Sequence, residues 1–132
     1  MLVNTLSVGN LLIEDVRLSL MIPFQVAFGF TSSFVPFYIF GTVIAKSDDL
    51  GSTYVGLLSA IIVLTGSLMA VPSAYVSNAI GKPVVMSFGG ACLAFAGFAL
   101  YIFSDSQLGT WKLIVPYLAI YGMGRGTWVS FQ

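Results

Sequence analysis

Histidine is absent from this chain, cysteine occurs once, at Cys92, and charged residues make up only 8% of 132 positions. The first two shortages exclude an internal disulfide, a Cys/His zinc site and a Ser-His or Cys-His nucleophile pair. Most enzyme chemistry goes with them, and the expected protein is not an enzyme and carries no metal or cofactor. The shortage of charge excludes an ordinary soluble domain, in which charged residues are roughly a quarter of the total. Five basic and five acidic residues cancel, so there is no basic face for nucleic acid and no polybasic patch for anionic lipid. What fills the chain is apolar: 58% of it is hydrophobic. The expected class is an integral, multi-pass protein of the plasma or an internal membrane, with the lipid bilayer as its first partner.

The few charges sit in clusters that mark out the spans. No charge occurs from Leu18 to Ala45, from Leu50 to Gly81 or from Pro83 to Ser104. Each gap exceeds the ~20 residues needed to cross a ~30 Å hydrocarbon core at ~1.5 Å per residue. A fourth run begins near Trp111 and meets Arg125 after twelve uncharged residues beyond Lys112. Spans are therefore expected near 18–45, 53–78, 83–103 and 111–131. Between them lie KSDDLGS, NAIGKP and SDSQLGT, short and rich in turn residues. Such loops place successive helices up-down-up-down. Membrane-barrel strands would alternate apolar and polar residues over ~10 positions, which these runs do not. The fold class is all-α, a polytopic membrane helix bundle of about four transmembrane helices over 18–132.

Residues 1–17 precede the bundle. Leu2, Leu6, Gly9, Ile13, Val16 and Leu20 fall at helical spacing, so an interfacial helix and a cytosolic loop both fit. The stretch lacks the basic start, continuous apolar core and cleavage site of a signal peptide, and is expected to be retained.

The faces of the spans separate packing from function. In the third, Ser87, Gly90, Ala94 and Gly97 follow at i, i+3, i+7 and i+10, a groove of small residues along which another helix packs. The second carries Ser59, Gly66, Ala70, Ser73 and Ser77 and is its natural partner. In the first, Gln25, Gly29, Ser32 and Pro36 make a polar stripe with Thr31 and Ser33 beside it. A glutamine amide is costly against lipid, so the stripe is expected to face the bundle interior, as a solute path or as a polar helix contact. Pro23 and Pro36 are expected to bend that helix.

Arg125 stands in GMGRGTW, about 21 Å along a helix begun at Trp111. An arginine at that depth costs ~2.5–3.5 kcal/mol on insertion scales and marks a functional site by default. Gly122, Gly124 and Gly126 leave room beside it for another helix, a carbonyl or an anionic ligand. Snorkelling and an interior structural role are the alternatives. Gln25, Ser32, Ser33 and Arg125 are the candidates for a solute path. GMGRGT lacks the third glycine of a dinucleotide fingerprint and follows no strand.

Two resemblances add to this reading. The loop SNAIGKP is similar to an eroded copy of the loop motif of the major facilitator superfamily: Asn78 stands at its aspartate, Gly81 at its second glycine and Lys82 at the basic position after it. YVGLLSA, the IGK loop, SDSQLGTWKLIVPYL and YGMGRGTW together resemble the C-terminal half of the uncoordinated-93-like family of that superfamily, over roughly 15–130. The resemblance implies that the four spans are the seventh to tenth of a twelve-helix protein, that the chain is a fragment, and that its partners include the remaining helices of a longer parent or another membrane protein. It implies a solute or ion transporter or, alternatively, a non-transporting partner of a channel or receptor. The family's glutamate after the tryptophan is here Val129.

Overall fold

A backbone surrounded by hydrocarbon has to satisfy its own hydrogen bonds, and a helix does so within one segment. The computed structural model describes residues 16–130, and of residues 16–21, 23 and 24 the backbone alone. The reading of 1–15 as loop or interfacial helix lies outside the described residues. Helix α1 spans Val16–Tyr38 and continues as a π-helix over Ile39–Ile44. A 3-10 turn at Ser52–Tyr54 leads into α2, Val55–Ile80. Helix α3 follows at Lys82–Ile102, the single turn α4 at Asp105–Leu108 and α5 at Trp111–Val129. Among the described residues there is no strand, and the fold is all-α.

Three helices are long and apolar enough to cross a membrane: Gln25–Ile44, Ser52–Ile80 and Lys82–Ile102. The fourth expected span, α5, does not reach the same apolarity, because Lys112 and Arg125 lie within it. Its burial explains the difference. Ile114, Tyr117, Leu118, Tyr121 and Trp128 of α5 are all buried. A helix shielded by its neighbours needs less apolar surface than one facing lipid.

The prolines do not interrupt the helices. Helix α1 runs through Pro23 and Pro36 and changes pitch only at Ile39, three residues past Pro36. Pro72 and Pro116 likewise lie inside α2 and α5. Each proline removes one backbone donor, and a wider π turn is one of the local adjustments that re-satisfy freed carbonyls in apolar helices.

The chain divides into two compact units between Ser32 and Ser33. In the described part of the first, Gln25, Val26, Gly29 and Phe30 are exposed. In the second, α5 packs along both α2 and α3, which touch each other far less. This corrects the expected pairing of the second and third spans. The outward faces are apolar, with Val63, Leu68 and Val71 on α2 and Phe95, Phe98 and Tyr101 on α3 all exposed. That distribution suits lipid rather than water.

Each end of the second unit is closed by specific contacts. At one end the Ser47 hydroxyl donates to the Gly109 carbonyl at 2.8 Å, and Tyr38 donates to Asp105 Oδ1 at 2.9 Å. The Tyr54 and Trp111 rings meet edge to face, 5.1 Å apart. At the other end α2 stops at Gly81, whose φ of +115° is costly for any residue with a Cβ. The Gly81 N–H bonds back to the Ser77 carbonyl at 3.1 Å, closing the last turn before Pro83 starts α3.

Candidate functional site

The alternate glycines of GMGRG point to different neighbours. A Cβ placed on Gly122 would stand 2.6 Å from the Ile62 carbonyl oxygen, and one on Gly126 would stand 2.5 Å from Gly66 Cα. Both face α2. Gly124 faces α3, where an added Cβ would lie 2.9 Å from Cys92 Cβ and 3.1 Å from the Gly89 carbonyl oxygen. No side chain fits at any of the three. Ile62 with Gly122 and Gly66 with Gly126 advance in the same direction, so α2 and α5 run parallel in a small-xxx-small contact.

Side chains lock the contact. Thr65 donates to the Ile61 carbonyl at 2.7 Å, which holds its hydroxyl against Gly122. Thr127, fully buried, donates to the Gly124 carbonyl at 2.8 Å and lies against Gly89. Nearer the start of α5 the buried Tyr117 hydroxyl donates to the Ala96 carbonyl at 3.0 Å.

Between Gly124 and Gly126, Arg125 emerges on the third side of the helix and is exposed. It lines a groove of about 460 Å³ between α2 and α5, with Ile62, Gly66, Ala70, Gly122, Gly126 and Val129 among its walls. The buried Tyr121 lies one turn earlier on the same helix. The described carboxylates, Asp48, Asp49 and Asp105, gather at the end where α5 begins. Arg125 is fourteen residues along from Trp111, or about 21 Å at ~1.5 Å per residue. Among the described residues it therefore has no carboxylate partner.

The other expected site residues are distributed as follows. Gln25 and Ser32 belong to the first unit, and the Ser32 hydroxyl bonds to the Gly29 carbonyl of its own helix at 3.3 Å. Ser33 is exposed and does not line the Arg125 groove. Gln25 and Gly29 are exposed as well, with open space beside Gly29, whereas Thr31, Ser32 and Pro36 are half-buried. Asn78 and Lys82 are exposed at the turn that Gly81 makes.

The small-residue groove of α3 needs a correction. A Cβ added to Gly90 or Gly97 would meet nothing within 4 Å, and Ser87 and Ala94 are exposed. The face that packs is Val85, Gly89, Leu93, Ala96 and Ala99. Of the small residues expected on α2, Ser73 and Ser77 are buried and Gly66 makes the closest approach. The pairing of Gly66 with Gly126 is not among the sequence expectations, although both helices carry small residues four apart, Gly66 with Ala70 and Gly122 with Gly126.

No family model, no curated protein and no solved structure matches the chain. The resemblance to the uncoordinated-93-like family accordingly rests on the quoted motifs.

Proposed function

We propose that this chain is a multi-pass part of a solute-handling membrane bundle of the major facilitator kind, resembling uncoordinated-93-like proteins, with the Arg125 groove as its solute-facing site. The observation that carries this reading is an exposed arginine in an apolar-walled groove whose floor is fixed by glycine contacts. A charge there is retained at a cost, and intramembrane charges of that kind mark solute and ion pathways. The rigid small-residue seam beneath it keeps the groove open where larger side chains would fill it.

The test is access of water to the groove in membranes. In a Cys92→Ala background, Ser67→Cys places a thiol in the groove wall, and Val71→Cys places one on the outer face of α2. A membrane-impermeant thiol reagent is expected to label the first and not the second. Equal protection of both positions removes the solute-handling reading.

One observation favours a second reading, a non-transporting partner of a channel or receptor. Gly90 and Gly97 form an open, unpacked strip on α3 where another helix backbone can approach closely. If that strip is the working surface, Gly90→Leu with Gly97→Leu abolishes co-purification with the other membrane protein and leaves groove labelling unchanged.

A further inference from the structure

We infer that the Arg125 groove binds a single-chain amphiphilic carboxylate, its head on the guanidinium and its tail along the α2–α5 seam. This rests on the reading of the groove as a solute site and adds the chemical class of the solute. Arginine carries five N–H donors, and among the described residues no carboxylate reaches Arg125. The guanidinium borders a groove whose other walls are apolar apart from Ser67 and Ser130. An occupant has to bring one oxyanion and an apolar body.

The wall from Ile62 to Ala70 is about 12 Å long at ~1.5 Å per residue. At ~30 Å³ per water-sized group the 460 Å³ of the groove holds about fifteen, on the order of one acyl chain with its headgroup and short of two. Charge selects a carboxylate over a phosphate monoester. The groove offers one cation, which balances a monoanion, whereas a phosphate monoester brings about −1.5 to −2 at pH 7 and leaves charge uncompensated in apolar surroundings. The planar guanidinium also matches a carboxylate in two parallel hydrogen bonds.

The experiment is equilibrium binding of radiolabelled palmitate to the full chain in nanodiscs, counted against empty nanodiscs, with methyl palmitate, acetate and dodecyl phosphate as competitors. Saturable palmitate binding is expected, with affinity reduced about tenfold or more in Arg125→Gln, as expected for loss of a charge-assisted contact, and partly restored in Arg125→Lys. Ala70→Leu, which fills the groove, is expected to weaken palmitate to a similar degree. Methyl palmitate and acetate should compete at least about tenfold more weakly than palmitate. The inference is overturned if Arg125→Gln binds palmitate as the parent does, if the ester competes equally, or if dodecyl phosphate competes more strongly. The ester comparison uses the parent chain and decides the matter even where Arg125→Gln does not fold. Thiol labelling of the groove without palmitate binding removes this inference alone. Palmitate binding in a groove closed to the thiol reagent retains it and removes the solute-handling reading.

Discussion

Gly66 and Gly126 meet backbone to backbone, so closely that a Cβ on Gly126 would stand 2.5 Å from Gly66 Cα. Neither helix can yield there without moving as a whole, because the opposing atoms are main chain. Lipid tails offer no hydrophobic drive for helix association, and close backbone approach is a main source of attraction. The two glycines therefore hold α2 to α5 and set the width of the Arg125 groove above them.

Gly126→Ala is accordingly expected to destabilise the protein by about 1–3 kcal/mol, the usual range for overpacking. Gly90→Ala and Gly97→Ala add a methyl into open space and are expected within about 1 kcal/mol of the parent, on the stabilised side by helix propensity. Reversible unfolding in mixed micelles, followed by circular dichroism, separates the two groups. Equal losses for Gly126→Ala and Gly90→Ala would show that the seam does not hold the helices.

Tyr117→Phe removes the hydrogen bond to the Ala96 carbonyl that ties α5 to α3. The carbonyl already accepts within its helix, so the cost is that of one interhelical bond, about 0.6–1 kcal/mol. Tyr101 is 92% exposed, and Tyr101→Phe serves as the matched control with no measurable effect. Loss of the same size in both would assign the effect to the hydroxyl's general solvation.

Much of the fold was legible because it depends on local composition. Charge-free runs had to be helices, and Gly81 before Lys82 and Pro83 marked a turn that the +115° φ confirms. The fourth helix was legible in position but not in exposure: its weaker apolarity reflects burial between α2 and α3, a tertiary fact. The small stripe of α3 misled for a related reason. Small residues show where a backbone is able to approach and leave open whether one does. Gly89 packs and Gly90, one residue on, does not. At the site, the glycines around Arg125 announced close packing, and their spacing of four matches Gly66 and Ala70. Which helix they meet depended on two parallel segments about sixty residues apart in sequence, beyond the reach of periodicity alone.

The turn from Asn78 to Pro83 is expected to face the cytosol. Charge counting along the sequence does not decide this, since Arg17 and Lys82 are matched in number by Lys46 and Lys112; the expectation rests on the proposed likeness of the turn to the major facilitator loop motif. A glycosylation sequon inserted beside Lys82, which is exposed, should remain unmodified in cells. Its modification would invert the topology.

Arg125 and Val129 lie one turn apart on α5 and line the same groove. A carboxylate at 129 would thus stand within reach of the guanidinium, and Val129→Glu supplies one. Arg before Glu is the poorer order for such a pair on a water-exposed helix, where pairs are worth only ~0.2–0.5 kcal/mol. In apolar surroundings the alternative is a charge that costs ~2.5–3.5 kcal/mol at mid-membrane, so pairing outweighs orientation. Val129→Glu is expected to raise the membrane-inserted fraction of α5, and Arg125→Leu is expected to abolish that gain, leaving the lone glutamate as a burden. The measurement is inserted fraction for both single changes and the double. The same pair bears on the groove: an internal carboxylate on Arg125 should also displace bound palmitate, so that the variant with the better-inserted helix is the weaker binder. If Val129→Glu lowers insertion equally with and without Arg125→Leu, no pair forms, and the guanidinium is turned away from residue 129.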